Sequence, residues 1–69
     1  IGDIEEDAKV AAKGNVVVIG TIYGTVIAGA AGDGSAVIAA LHMSPKRLRI
    51  GDIEVKPNVG GSLSWAKLS

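Results

Sequence analysis

The 69-residue chain has no cysteine and no phenylalanine, and its only aromatic residues are Tyr23 and Trp65. Without cysteine it can form no disulfide, no thiolate metal site and no thiol nucleophile, which fits a reducing compartment. Because large aromatic side chains are nearly absent, a wide core cannot be filled, whereas a narrow core of Val, Ile, Leu and Ala can. The length indicates one small domain.

The sequence also has no excess of either charge, because seven basic and seven acidic residues cancel to a net charge of zero. A neutral chain creates no overall field that attracts polyanions, so we expect no nucleic-acid partner. No apolar run approaches the ~18 residues that a membrane-spanning helix needs, and no secretory signal peptide is visible.

What the chain does contain is a long alternation from Ala8 to Ala30, in which every second residue is small or aliphatic. A side-chain period of two indicates extended backbone with one buried face. One strand of this length would exceed the usual ~3–10 residues. Gly14, Gly20 and Gly24 fall on the inward register, where the chain can bend. The pattern predicts an all-β fold, a three-sided β-solenoid with coils of about 18–20 residues.

The alternation resumes after the glycine-rich segment 29–35, with Ala36, Ile38 and Ala40 inward and with Leu48 and Ile50 as a later inward pair. Residues 53–55 predict one more short strand, residues 58–62 a turn or flexible segment, and residues 63–68 a final strand that caps the open end. We therefore expect a β-helix domain over residues 1–56 and a C-terminal tail or capping segment over residues 57–69.

A second set of apolar residues lies on the register opposite the predicted core. Stacked coils would place the members of this set side by side in a flat hydrophobic face, and such faces usually mark an interface. Closed two-fold pairing of identical faces is the commonest outcome. The sequence predicts a homodimer whose interface contains Val17, Ile19, Val37, Ala39 and Leu41. The alternative is that a further domain or the C-terminal segment covers the face.

No residue set indicates catalysis or a bound metal. The segment 29–35 lacks the Gly-Lys-Ser/Thr ending of a phosphate-binding loop, and His42 has no second His or Cys to complete a metal site. Lys46, Arg47 and Arg49 form a small basic patch, interpreted as a solvated edge or as a contact with a partner. The acidic residues 5–7 are interpreted as a solvated corner. We expect no enzyme activity, no cofactor and no metal.

The run from Asp7 to Asp33 carries a spaced pattern of inward aliphatic residues, then Gly14-Asn15, Gly-x-x-x-Gly and Ala-Gly-x-x-Gly-Asp. In this pattern the chain resembles the C-terminal domain of MinC, the bacterial septum-site-determining protein. Residues 36–40 and 48–50 continue the match, and the resemblance covers roughly residues 3 to 55.

The resemblance implies a right-handed, three-sided β-helix that dimerises through one face and binds the membrane-associated ATPase MinD. It implies a cytoplasmic regulator that MinD recruits to the inner face of the cell membrane, so that membrane contact is indirect. There it would prevent assembly of the division protein FtsZ at wrong sites. The resemblance also implies that the domain itself contacts FtsZ. The resemblance places Asp7 in the MinD-binding surface. It also implies a separate N-terminal domain, absent from this chain, that carries the main inhibitory activity.

Two other functions compete with this one. Bactofilin-like proteins are small β-solenoids rich in Gly, Val and Ile that join end to end into filaments, and they are the main alternative. A left-handed hexapeptide-repeat acyltransferase would need a regular six-residue repeat and usually a catalytic histidine. That repeat is absent, and His42 lies in an irregular segment.

Overall fold

A computed structural model describes residues 2–61 and 63–68 of the chain. Ile1, Ser62 and Ser69 lie outside the described residues. They are the first residue of the predicted domain 1–56, the last residue of the predicted turn or flexible segment 58–62, and the last residue of the predicted tail 57–69. Eight strands are described, each three to seven residues long: β1 (Lys9–Ala11), β2 (Val16–Ile22), β3 (Thr25–Ala28), β4 (Ile38–Met43), β5 (Arg47–Ile50), β6 (Ile53–Val55), β7 (Asn58–Gly60) and β8 (Leu63–Ala66).

The strands form two four-stranded sheets. In sheet I the order is β1-β3-β5-β6, and in sheet II it is β2-β4-β8-β7. The chain alternates between the sheets as far as β5, and the neighbouring strands of this part are parallel. After β5 every pairing is antiparallel, namely β5 with β6, β4 with β8, and β8 with β7.

The predicted three-sided β-helix is therefore wrong, although the described elements are all strands. Two sheets of mixed direction replace a closed solenoid, because the chain turns back on itself instead of winding a further coil. The reversal occurs at Gly51 and Asp52, a two-residue turn between the paired residues Ile50 and Ile53. Gly51 has a φ of 61°, and glycine suits the first position of such a hairpin turn because it adopts positive φ without a steric penalty.

The core lies between the inner faces of the two sheets and consists of aliphatic side chains, of Ala, Val, Leu and Ile. The alternation predicted from the sequence is present in both sheets, since Val16 and Val18 of β2 and Val26 and Ala28 of β3 are buried. Among residues 2–61 and 63–68, the buried hydrophobic residues are Val16, Val18, Ile22, Val26, Ala28, Ala36, Ile38, Ala40, Leu48, Ile50 and Ala66. Two members of the predicted inward row, Gly14 and Ala30, are exposed at the bends that follow β1 and β3.

Polar side chains complete the backbone hydrogen bonding at two irregular positions of sheet II. The Asp3 carboxylate accepts a hydrogen bond from the backbone N–H of Thr21 at 2.8 Å, next to the register shift between Val18 and Thr21. The Asn15 side-chain oxygen accepts one from the backbone N–H of Val37 at 2.8 Å. Each supplies an acceptor to a backbone donor at an irregular position, Thr21 at the register shift of β2 and Val37 just before β4.

Strand β2 also binds the beginning of the chain. The backbone N–H of Gly2 donates to the carbonyl of Ile19 at 3.0 Å, and that of Ile4 donates to the carbonyl of Thr21 at 2.9 Å. Ile4 and Ile22 form a parallel bridge. These bonds lead the chain to the turn that precedes β1. Residues 2–61 and 63–68 contain no helix that is both long enough and apolar enough to cross a membrane.

Candidate interaction surfaces

The outer face of sheet II is apolar and open to solvent. The five residues predicted for a dimer interface all lie here or at its margin. Val17, Ile19 and Leu41 are 69 %, 51 % and 45 % exposed, and Val37 and Ala39 are half-buried. Large aliphatic side chains are exposed here because their neighbours Val16, Val18, Ile38 and Ala40 take the inner positions of the same strands.

The structure brings part of this set into direct contact across the strands. Val17 of β2 is the register partner of Ala39 on β4, and Ala39 is in turn the partner of Trp65 on β8. Val37 lies just before β4 and accepts a hydrogen bond from Val16, which holds it beside β2. Ile19 lies within the irregular stretch of β2 between Val18 and Thr21, so it has no regular partner on β4.

Sequence reasoning missed Trp65 as part of this face. Trp65 is half-buried and lies across β7, since a Cβ placed on Gly60 would be 2.7 Å from its ring atom Cζ3. Leu63, one position before the buried Ser64, is exposed on the same side of β8. The pattern Leu-Ser-Trp-Ala does alternate, and it indicates a strand. It does not reveal that this strand lies next to β4 and extends the apolar face rather than covering it.

The strands of sheet II contain no Asp, Glu, Lys or Arg. Charged side chains are what normally keep an exposed sheet face solvated and the protein monomeric. An uncharged face that exposes Val17, Ile19, Leu41 and Leu63 together with an aromatic ring has the composition of an interface core.

Asp7 lies on a different part of the molecule, in the exposed turn before β1. The Ala8 N–H donates to the Glu5 carbonyl at 3.0 Å, which closes the turn. The Ile4 carbonyl accepts from Tyr23 and Gly24, and the Ala8 carbonyl accepts from Thr25. Backbone bonds on both sides thus fix the position of the turn that contains Asp7 relative to the start of β3, while the Asp7 side chain lies in solvent.

Gly24 is required for this arrangement. A Cβ at position 24 would overlap the Glu5 carbonyl oxygen and would lie 2.5 Å from that of Ala8. Both atoms belong to the backbone, so a side chain at this position would push away the turn that holds Asp7. The glycine predicted as a bend therefore has a second role, because it allows the backbone of residues 5–8 to approach.

The glycine-rich segment forms a loop with an internal side-chain contact. Ser35 donates hydrogen bonds to Asp33 Oδ1 from its hydroxyl at 2.6 Å and from its backbone N–H at 2.9 Å. Both bonds hold the pKa of Asp33 below its ordinary value of 3.8, and the bond from the Ser35 hydroxyl is the larger cause. Within residues 2–61 and 63–68 no pocket is found, and no group of three or more His, Cys, Asp or Glu side chains could hold a metal ion.

The sequence model of the family described as septum formation inhibitor MinC, C-terminal domain, matches residues 1–63. A probable septum site-determining protein MinC from Persephonella marina is 56 % identical over 50 residues, which are 72 % of this chain and 25 % of that protein. Its counterpart from Clostridium novyi is 39 % identical over 70 residues, which cover all of this chain and 33 % of that protein. The chain thus spans about a quarter to a third of the length of these relatives.

Among solved structures, the chain is similar to a chain of the MinC:MinD cell division protein complex from Aquifex aeolicus. The TM-score is 0.88 at 41 % identity, and the match covers 100 % of this chain and 60 % of the other. The similarity includes the part of the chain after residue 55, which the sequence resemblance did not reach.

Proposed function

The chain belongs to the family of MinC C-terminal domains, and we propose that it is the self-pairing and MinD-binding domain of a septum-formation inhibitor. In this role it would help to prevent FtsZ assembly at wrong division sites. The single observation that carries the proposal is the close match, with a TM-score of 0.88, to a chain of a MinC:MinD complex. Family membership does not favour the bactofilin-like, self-polymerising alternative.

The proposed role is one of binding rather than catalysis. The protein would act in the cytoplasm, and MinD would bring it to the inner face of the cell membrane. FtsZ is the proposed target, and the main inhibitory activity is assigned to an N-terminal region outside these residues. The two surfaces described above suit these tasks, because the uncharged face of sheet II and the turn that holds Asp7 are separate and can be used at the same time.

We assign self-pairing to the outer face of sheet II, with Val17, Ile19, Val37, Ala39 and Leu41 at the interface and Trp65 as an added anchor. Trp65 is the only tryptophan of the chain, and it is half-buried in the single chain. Pairing would remove the rest of its ring from water. Its fluorescence emission should therefore move to shorter wavelength as protein concentration rises, in step with the mass measured by sedimentation equilibrium. A chain that stays monomeric at high concentration would contradict this assignment.

We assign MinD binding to the surface that includes Asp7. The test is co-sedimentation of the chain with MinD, ATP and lipid vesicles. Asp7→Lys should weaken binding by about tenfold or more, because a charge reversal at an interface leaves unpaired or like charges in contact. Glu6→Lys is the matched control, since it makes the same charge change at the neighbouring exposed position of the turn.

Each result has a distinct meaning. If the wild-type chain binds MinD and Asp7→Lys binds equally well, Asp7 is not part of the surface. If both reversals weaken binding equally, the effect is one of general charge and not of this side chain. If the folded wild-type chain does not bind MinD at all, the proposed partner is wrong for these residues.

A further inference from the structure

The outer face of sheet I carries a cluster of cations that neither self-pairing nor the Asp7 surface uses. Its strands contain Lys9, Arg47 and Arg49, and Glu54 is their one acidic residue. Lys9, Arg47 and Glu54 are exposed, and Arg49 is half-buried. A chain with zero net charge therefore has an uncharged sheet on one side and a cationic sheet on the other.

The register shows how these charges are arranged. Lys9, Thr25 and Arg47 are register partners across β1, β3 and β5. In the next outward row, the partners across β1, β3, β5 and β6 are Ala11, Ile27, Arg49 and Glu54. Neighbouring strands are about 4.8 Å apart and alternate residues of a strand about 6.6 Å apart. Lys9 and Arg47 are thus separated by roughly one Debye length at physiological salt, so the cations act as one field.

Glu54 reduces this field without removing it. The Arg47 side chain is 3.3 Å from the Glu54 carboxylate, and both side chains are more than half exposed. Arg49 is the register partner of Glu54, so the carboxylate lies close to both arginines. Three cations and one anion leave the strands with a net charge of +2, and Lys9 is the cation farthest from the carboxylate. Lys13, two residues beyond β1, and Lys56, directly after β6, add positive charge beside the sheet, whereas Asp7, two residues before β1, and Asp52, in the turn between β5 and β6, add negative charge at its margin.

The form of the surface limits the kind of partner. It is the face of a sheet, whereas a peptide that adds a strand binds at a free sheet edge. The strands of sheet I contain no aromatic residue on which nucleic-acid bases could stack. Rows of point charges on an open face match an extended array of negative charges, which is what the headgroups of anionic lipids present.

We propose that the outer face of sheet I binds directly to an anionic lipid surface through Lys9, Arg47 and Arg49. This contact would act in addition to any recruitment by a protein partner. It depends neither on MinD nor on pairing through sheet II, because lipid and this chain are the only components it requires. Each lysine or arginine near such a surface contributes a modest amount, so the binding should be weak, reversible and sensitive to salt.

The test is sedimentation of the chain with vesicles in the absence of MinD and nucleotide. The chain should sediment with vesicles of phosphatidylglycerol and phosphatidylcholine in equal parts at low salt. It should remain in solution with vesicles of phosphatidylcholine, and high salt should release it. Arg49→Gln should lower the partition coefficient about fivefold, and Lys9→Gln together with Arg49→Gln about thirtyfold.

Matched controls separate this face from overall charge. Lys67→Gln, which removes one cation next to sheet II, should leave binding nearly unchanged. Glu54→Gln should strengthen binding about fivefold, because it removes the one acidic residue of the face, whereas Glu6→Gln should have little effect. Circular dichroism would show that each variant is folded.

Three results would overturn the proposal. One is the absence of binding of the folded wild-type chain to the anionic vesicles at low salt. Another is an equal loss of binding for Arg49→Gln and Lys67→Gln. The last is tighter binding to poly-glutamate or to single-stranded DNA than to the vesicles, which would assign the face to an acidic peptide or to nucleic acid.

Discussion

The two sheets have similar inner faces and opposite outer faces. Inside, both carry aliphatic side chains, such as Ile38 in sheet II and Leu48 in sheet I, and both residues are fully buried. Outside, the strands of sheet II have no charged residue, while those of sheet I carry three cations and one anion. The inner faces must fill one core, so the fold constrains them alike. The outer faces are free of that constraint, and their difference is the basis of the two proposals, self-pairing through sheet II and lipid binding through sheet I.

The largest effect should come from adding a charge to the outer face of sheet II. Val17→Lys should raise the dissociation constant of the proposed dimer by on the order of a hundredfold, because two copies of the charge would be buried at a two-fold interface. Ala11→Lys is the matched control, since it adds the same charge to the exposed outer side of the first strand of sheet I. Sedimentation equilibrium measures both.

This pair of variants tests the comparison itself. Equal dissociation by Val17→Lys and Ala11→Lys would mean that the two outer faces do not differ in self-pairing. A dimer that survives Val17→Lys would have to use another surface.

The next effect concerns the connection between the sheets, where Gly24 separates β2 from β3. Gly24→Ala should lower the free energy of unfolding by about 1–3 kcal/mol, because the new methyl group would overlap backbone atoms of Glu5 and Ala8. Gly14→Ala, at a bend where nothing lies within 4 Å of the added Cβ, should cost nothing and can stabilise slightly. Urea denaturation compares the two, and equal loss for both would show that residues 5–8 do not pack as described.

The smallest effect lies in the loop between the sheets that contains Asp33. The pKa of Asp33 is lowered in the folded chain, so the contact stabilises the loop above the ordinary pKa of 3.8 and is lost as pH falls through the folded value. Ser35→Ala removes the largest cause of the shift and should raise the pKa of Asp33 toward 3.8. Ser44→Ala, in the loop between β4 and β5, should leave it unchanged. An NMR titration of the Asp33 carboxylate measures the pKa in each variant. An unchanged pKa in Ser35→Ala would show that the Ser35 hydroxyl does not cause the shift.

The inner faces could be predicted from the sequence because alternation is a local property. Val16, Val18, Val26 and Ala28 lie inside as the period of two requires. The family could also be predicted, since the glycine spacing of residues 7–33 is specific, and the match of the family model over residues 1–63 confirms it.

The solenoid was predicted wrongly because direction is not encoded in alternation. A strand that continues a coil and a strand that folds back have the same pattern of inner and outer residues. The local indication was Gly51-Asp52 between two alternating pairs, which is a typical hairpin turn. Residues 58–60 belong to the stretch 58–62 that the sequence predicts as a turn or flexible segment, yet they form β7. Pairing with β8, for example of Asn58 with Trp65, outweighs their low strand propensity.

The candidate surfaces were predictable only in part. Val17, Ile19 and Leu41 are exposed as expected, because the side chains on the outward register of a strand point away from the core. Trp65 could not be placed on the same face from sequence, since its neighbour Ala39 is distant along the chain and the pairing is antiparallel. Their roles in self-pairing and MinD binding remain predictions for the experiments above.

Strand β4 has β2 on one side and β8 on the other, and this has a consequence for synthesis of the protein. The side of β4 that faces β8 keeps its backbone donors and acceptors free until residues 63–66 have left the ribosome. During that interval the nascent chain presents an open, uncharged strand edge, the kind of edge on which unwanted pairing between chains begins. Pairing of β8 is therefore the step that closes this edge of β4 against association with the wrong neighbour.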